Sequence, residues 1–410
     1  MPSDESCSLF AAAEKHDKVL RLGIVGTGCI GQEHLRNTLV LMTKQQNDKT
    51  PTSANPNAKR LSVPRVILSA IADPHAPSRD AAMEIIDSGR KELPDLNVAS
   101  FSTHVSLFEA CRDNKLCDCL IICTPNFNHI TVVKDALAIT CCHLLLEKPL
   151  CTTVRDCLAV ERWLKEDREK GHQRVFWVGM EYRFIPPIEK LIQAADSGRL
   201  GNLKMLSIRE HRFPFLAKVG HWNRRNELSG GTLVEKCCHF FDLMRRMLQS
   251  DPVKVMASGA QSVCYKEEQY AKKGGDTAYL DAVESSSQED TRHTAPEKAK
   301  RTGQTRIASD ILDNAFVIVE FENGSRALLD LCMFAETSYN QDEISLVGDR
   351  GKAECFGMSH GCKVEDETRV NFRLGERPKH GQWDWQLRAR TCLRSSYSMS
   401  ESETRRWWRR

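Results

Sequence analysis

Lys148, Glu235 and His239 are of the types that together could move a proton and steady a developing oxyanion. Lys148 stands in Leu144-Leu145-Leu146-Glu147-Lys148-Pro149-Leu150, where a strand-like apolar run stops at a charged pair and a proline. Open α/β sheets bind ligands in the crevice beyond their strand ends, so an ammonium delivered there is a candidate for holding a substrate oxygen. In Ser229-Gly230-Gly231 through Arg246 a glycine turn launches an expected helix, on which Glu235, His239 and Asp242 recur at i, i+4 and i+7 and share one face. An acid one turn before a histidine can orient and polarise the imidazole, as a general base requires. The surrounding Leu233, Val234, Cys237, Cys238, Phe240 and Phe241 imply burial, which is costly for a polar pair unless it is satisfied.

A second chemistry lies upstream. Val19 to Val25 reads as a short apolar strand, followed by Gly26-Thr27-Gly28-Cys29-Ile30-Gly31 and the start of a helix at Gln32. Gly26 allows the tight turn, Gly28 lets the backbone approach a pyrophosphate, and Gly31 lets the helix pack closely on the strand. The helix N-terminus adds unpaired N–H donors for phosphate. The next strand, Arg65 to Asp73, ends in an acid that can accept from the adenosine ribose hydroxyls and would repel a 2′-phosphate, which favours NAD over NADP. Asp73 lies 42 residues after Gly31, where about 20 is usual. The polar stretch Lys44 to Ser62, with Pro51 and Pro56, reads as a surface insertion that accounts for the excess. Arg79 follows closely and keeps NADP possible.

These residues need a doubly wound sheet to position them. Asp118 to Pro125 is a continuous apolar run, suiting a central parallel strand covered on both faces. Asn126 and His129 then open a helix from Ile130 to Ile139, and His129 is a candidate cofactor contact as well as a candidate cap. The order β-α-β-α-β from Val19 to Pro149 predicts a Rossmann-type parallel sheet over 19–150, after a flexible N-terminus at 1–18. Lys204 to Arg212, Val253 to Val263, Asp313 to Glu322, Ser325 to Phe334, Glu343 to Val347 and Lys352 to Phe356 are strand-like, and Asn323-Gly324 is a hairpin signal. They predict a second, α+β domain over 151–382 with a large, mostly antiparallel open sheet. Residues 265–306 are too polar to offset their ordering entropy and are expected to form a mobile insertion, and 383–410 is an Arg-rich divergent tail ending Trp407-Trp408-Arg409-Arg410.

Five motifs now stand in order: the Gly26 to Gly31 turn after its strand, Thr124-Pro125-Asn126 with His129, Glu147-Lys148-Pro149, Arg183-Phe184 after the next strand, and Gly230-Gly231 with Glu235, His239 and Asp242. Over about Val19 to Phe356 the chain resembles the glucose-fructose oxidoreductase, inositol dehydrogenase and MocA family. The resemblance implies a two-domain dehydrogenase acting on CH–OH groups, with NAD or NADP in the first domain and a sugar, cyclic polyol or related compound against the second. It implies that Gly26, Thr27, Gly28, Cys29, Ile30, Gly31, Asp73, Thr124, Pro125, Asn126, His129, Glu147 and Lys148 hold the cofactor. Lys148 would also bind the substrate hydroxyl, His239 would be the acid/base, Glu235 would orient the site, and Arg183, Trp222 and Asn223 would be weaker candidates for the pocket wall. The open sheet face of such proteins commonly packs on another subunit, so a homodimer or homotetramer is expected. Glu235 stands where the family usually has aspartate and Cys237 where it usually has glycine, which weakens transfer of a particular substrate. An NAD-using glycosidase, a non-catalytic dinucleotide sensor or scaffold, and an anion-binding adaptor acting through the basic tail remain as alternatives.

Composition fits a two-domain enzyme in solution: 410 residues, 41% apolar, 28% charged. A net charge of +3 and no folded recognition element around the tail argue against a nucleic-acid partner. No apolar stretch reaches transmembrane length, and the first 18 residues lack a signal-peptide core, so no membrane partner is expected. The 17 cysteines do not form a framework: Cys117/Cys119, Cys141/Cys142 and Cys237/Cys238 are too close for the usual zinc pairs, and most others sit in apolar runs. A reducing, cytoplasmic setting and no metal follow as expectations.

Overall fold

The computed structural model describes residues 19–47, 64–215, 218–264, 309–335, 338, 340–356 and 362–366. The expected insertion 265–306, the tail, the first 18 residues and most of the polar stretch before Asp73 lie outside them. Of that stretch, 44–47 are helical, closing α1 (Cys29–Asn47).

β1 (Val19–Val25) runs parallel between β2 (Arg65–Ala72) and β4 (Cys119–Ile122). With β3 (Ala99–Phe101), β5 (His143–Glu147) and β6 (Phe176–Gly179) they form a six-stranded sheet in the order β3-β2-β1-β4-β5-β6. The order reverses between β1 and β4, which places the ligand crevice at their carboxyl ends. Every residue of β4 is buried, as a central strand covered on both faces must be. The helices α2 (Ala76–Gly89), α3 (His104–Asn114), α4 (His129–Ile139) and α5 (Val154–Glu169) cover the two faces with separate apolar cores. Thr103 and Thr153 cap α3 and α5 by accepting from Ser106 N and Asp156 N. The nucleotide fold, expected to end at residue 150, extends to Gly179, because β6 pairs parallel with β5 and α5 is the crossover between them.

Beyond it, α6 (Pro186–Asp196) leads into β7 (Leu203–His211). The second sheet adds β8 (Pro252–Ala260), β9 (Asn314–Phe321), β10 (Arg326–Cys332), β11 (Asp342–Gly348), β12 (Gly351–Phe356) and β13 (Cys362–Asp366), in the order β13-β12-β11-β7-β10-β9-β8. All pairings are antiparallel except β7 with β10. Gly324, at φ +78°, makes the turn between β9 and β10 that Asn323-Gly324 predicts. One face of this sheet packs its alternate residues on α6 and on the helix carrying His239. The other face leaves Met205, Met256, Phe316 and Ile318 exposed in the single chain. At the end of β8, Asp313 gathers the backbone N–H groups of Ser262, Val263 and Cys264 on its carboxylate, at 2.7–3.1 Å. Gln261 Nε2 bonds the carbonyls of Cys264 and Ser309.

Candidate active site

The glycine turn is built as its spacing requires. Gly26, at φ +88°, donates its N–H to Ala72 O, and a Cβ there would meet the Cys123 backbone at 2.8 Å. A Cβ on Gly31 would reach Gly26 O at 1.9 Å, so α1 can settle on β1 only because none is present. Above Gly28 no atom lies within 4 Å of where a Cβ would be, which leaves the backbone open to a phosphate. Cys29 and Ile30 form the first turn of α1, Cys29 exposed and Ile30 half-buried.

Asp73 is buried at the exit of β2, and its carboxylate first braces the turn. One oxygen accepts from Thr27 N at 2.6 Å and from the Thr27 hydroxyl at 3.2 Å, and the other from His75 N at 2.8 Å. The lone pairs left over are those a ribose hydroxyl could use. Arg79 Nη1 donates to the Asp73 carbonyl at 2.6 Å, so a guanidinium shares this edge. At the exit of β4, Thr124 Oγ1 is buried with no hydrogen-bond partner among the described residues. An open glycine, a braced acid and an orphaned hydroxyl around one crevice fit a dinucleotide.

The remaining cofactor candidates act partly as braces. His129 is fully buried, its ring nitrogens 2.7 Å from Pro149 O and 2.9 Å from Thr124 O, so it ties the turn after β4 to the turn after β5. Burial pushes its pKa down. Pro125 precedes the single 3₁₀ turn Asn126–Asn128. Asn126 Nδ2 donates to Ser229 O at 3.0 Å and to a Glu235 oxygen at 2.6 Å, reaching from the first domain into the second. Glu147 meets His34 of α1 at 2.6 Å and also accepts from Lys148 N at 3.3 Å.

Lys148 and Glu235 close the joint between the domains. Lys148 Nζ donates to the Glu235 carbonyl at 2.9 Å and lies 3.7 Å from its carboxylate. The same carboxylate accepts from Lys218 Nζ at 3.1 Å, and Lys218 lies over the Trp222 ring at 4.5 Å. Burial opposes the charge on Glu235, yet Lys148, Lys218 and the Asn126 bond outweigh it and hold the carboxyl at about 2. Burial likewise pushes the Lys148 ammonium down, but the Glu235 charge prevails and raises it above its ordinary value.

The single helix expected from Gly231 to Arg246 is two. Gly230 and Gly231, at φ +81° and +82°, turn the chain from α7 (Asn226–Ser229) into α8 (Thr232–Glu235), which stops before α9 (Cys238–Leu248) begins. The break releases the Glu235 carbonyl to Lys148 and sends Lys236 inward to Glu210 at 3.1 Å and to the Tyr182 hydroxyl. Glu235 therefore spends its carboxylate on Asn126, Lys218 and Lys148 instead of standing one turn behind His239. His239, buried in the first turn of α9, lies flat on the Tyr182 ring, centroids 4.1 Å apart and planes 8° from parallel. Arg183 forms a forked ion pair with Asp242, three residues further along α9. Trp222 and Asn223 are buried in the segment Val219–Arg224, with Trp222 edge-on to Phe127.

Sequence reasoning missed Lys218, Lys236, Tyr182 and His34. His34 and Tyr182 border motifs that were noticed, and a polar side chain on a buried face was the available signal. Lys218 lies in irregular chain with no period to mark it.

Residues 20–176 match the family model described as the oxidoreductase family, NAD-binding Rossmann fold, and residues 192–389 match its C-terminal alpha/beta domain. The chain is 27% identical over 248 residues to the inositol 2-dehydrogenase of Rhizobium meliloti (strain 1021), covering 59% of this chain and 58% of that relative's length. It is 23% identical over 369 residues to the uncharacterized oxidoreductase YrbE of Bacillus subtilis (strain 168), covering 88% of this chain and 80% of the relative. In fold it is similar to a levoglucosan dehydrogenase solved in complex with NADH, at TM-score 0.63 and 15% identity over 93% of this chain and 90% of the other. With a glycine turn open to a dinucleotide, a lysine and a glutamate locked across the domain joint, and both halves matched in sequence, the chain belongs to the Gfo/Idh/MocA oxidoreductase family.

Proposed function

We propose that this chain is a dehydrogenase that moves a hydride between a secondary alcohol of a sugar or cyclic polyol and a nicotinamide cofactor. The observation that carries the reading is the charge assignment at the joint. Lys148 is held cationic and Glu235 anionic, so neither serves as the base, and the buried imidazole of His239, stacked on Tyr182 at the start of α9, is assigned the proton. Residues Gly26 to Gly31, Asp73 and Thr124 to Asn126 would hold the cofactor, with His129 and Glu147 bracing the turns around it. The cofactor, when bound, accepts or returns the hydride.

In this reading Lys148 binds the substrate hydroxyl and stabilises the negative charge that develops on it. His239 takes the hydroxyl proton. Glu235, ionised throughout the working range, fixes Lys148 and Lys218. Asp73 favours NAD over NADP by opposing a 2′-phosphate. The polyol class is supported by the relatives named inositol dehydrogenases. The exposed Met205, Met256, Phe316 and Ile318 on the open sheet support a homodimer or homotetramer through that face. The fourteen cysteines described from Cys29 to Cys355 are free thiols, which supports a reducing, cytoplasmic setting.

A cofactor-linked absorbance screen over inositols, aldoses and sugar acids tests the reading. His239→Ala should lose about 10²- to 10⁴-fold in kcat on any substrate found, with NAD affinity little changed. Normal NAD binding with no substrate oxidised would favour a dinucleotide sensor.

A further inference from the structure

Lys236 follows Glu235 directly, yet its side chain turns the other way, into the second domain. Its Nζ is buried, 3.1 Å from Glu210 Oε1, and donates to the Tyr182 hydroxyl. Glu210, on β7, is fully buried and also meets Arg212 Nη1 at 3.4 Å. The Tyr182 ring carries the His239 imidazole on its face, and the next residue, Arg183, is forked onto Asp242 of the same helix. The segment Tyr182-Arg183 is thus clamped to α9 at two points, and Lys236 grips the free end of the phenol.

We propose that Lys236 is a positioning residue for His239: anchored on Glu210 and bound to the Tyr182 hydroxyl, it fixes the ring on which the imidazole lies and places a positive charge beside that ring, keeping His239 uncharged and ready to accept a proton. An aromatic face alone would favour an imidazolium stacked on it. A cation bonded to the phenol oxygen draws density from the ring and repels the imidazolium through space, and the low local dielectric makes both effects larger than in water. Burial pushes the Lys236 ammonium down to about 8, Glu210 opposing, so the charge is present at neutral pH. Among the described residues, Arg212 beyond β7 and Lys148 beyond β5 also bear on Lys236, and Cys238, beside His239, senses Lys148, Glu235 and Asp242. All of these stay in place in the variants below.

The proposal rests on the base role given to His239, so the test reads the imidazole directly. The full chain, isotope-labelled at histidine, is titrated by NMR, and the His239 signal is assigned by its loss in His239→Asn. Lys236→Gln and Lys236→Met should each raise the His239 midpoint by about half a pH unit or more, and Tyr182→Phe should raise it less. Lys236→Arg should restore the parent value, since it keeps the charge. A midpoint unmoved or lowered in the neutral variants overturns the proposal. If those variants do not fold, Tyr182→Phe, which keeps the Glu210 pair, decides: no rise overturns it. With a substrate in hand, the acid limb of kcat/KM should move upward with the NMR midpoint. A screen that finds no substrate counts against the dehydrogenase reading alone, whereas an unmoved midpoint in an active enzyme counts against the role of Lys236 alone.

Discussion

His34 and Glu147 meet 2.6 Å apart, one from the helix launched by the glycine turn and the other from the last residue of β5, with each side chain about a tenth exposed. The pair fastens the cofactor turn to the strand end that presents Lys148. For His34, burial lowers the pKa but the Glu147 contact outweighs it, so the net shift is upward from 6.5. For Glu147 burial raises the pKa but His34 outweighs it, and the net shift is downward from 4.5. The histidine's contribution to stability is complete below 6.5 and fades as pH rises through its folded value, whereas the glutamate's is complete above 4.5 and fades as pH falls. The pair is therefore at full strength between those limits. His34→Leu strands a buried carboxylate and should cost about 3–5 kcal/mol in that window, read by thermal denaturation across pH. A loss independent of pH would refute the ion-pair account.

Gly28 and Gly31 should fail differently when replaced by alanine. Gly31→Ala drives a methyl into Gly26 O and should lower Tm before any cofactor is added. Gly28→Ala meets no protein atom, so Tm should hold while NAD affinity falls by about 10-fold or more, because the methyl stands where a pyrophosphate must approach. Thermal scans with and without NAD separate the two. Equal behaviour of both variants would remove the phosphate role from Gly28.

Asp73→Ser should narrow the preference for NAD over NADP by relieving repulsion of the 2′-phosphate. It should also loosen the turn, since Thr27 and His75 lose their acceptor. Fluorescence titration of both cofactors decides it, and tighter NADP binding by the unmodified protein would sink the assignment.

Glu235→Gln leaves Lys148 and Lys218 facing a neutral amide. It should cost about 3 kcal/mol, and hence on the order of 6–12 °C in Tm. Because the folded carboxyl sits at about 2 against 4.5 unpaired, its contribution is present above 4.5 and is lost as pH falls toward 2. The difference in Tm between parent and variant should therefore shrink on acidification. A difference that grew instead would mean the carboxyl is not ionised in the fold.

The first domain was legible because parallel strands buried on both faces read as unbroken apolar runs, as Leu120 to Ile122 and Leu144 to Leu146 do. β3 escaped because three residues carry no period, and β6 was expected only as a strand before Arg183, without bounds, because four residues after a polar loop carry too little pattern to set its ends. In the second sheet alternation revealed six strands, and Cys362–Asp366 was missed because Cys362 and Val364, its two apolar residues, are interleaved with and followed by charges. The glycine turn, Asp73, Lys148 and His239 could be found from residue type and position. The break between Glu235 and Cys238 could not, since neither lysine nor cysteine stops a helix and the i, i+4, i+7 spacing runs straight across it. With the break went every contact that depends on it, including Lys148 on the Glu235 carbonyl and Lys236 on Tyr182.

The Asp313 carboxylate, with Ser262, Val263 and Cys264 on it and Gln261 bridging to Ser309, works as a clasp that closes the neck between β8 and β9. Whatever chain passes between the two sides of that clasp, the register of the strands is set below it. Lengthening a closed loop adds only about 0.6 kcal/mol per doubling, so the neck is a natural graft point. The neck also holds the site's own scaffold, with Asp310 N on Arg224 O, Asn226 N on Asp310 Oδ1 and the Thr232 hydroxyl on Leu312 O, so a reporter domain or an affinity tag spliced outside the clasp would hang from the edge of the sheet while those bonds kept the turn into Glu235 in place.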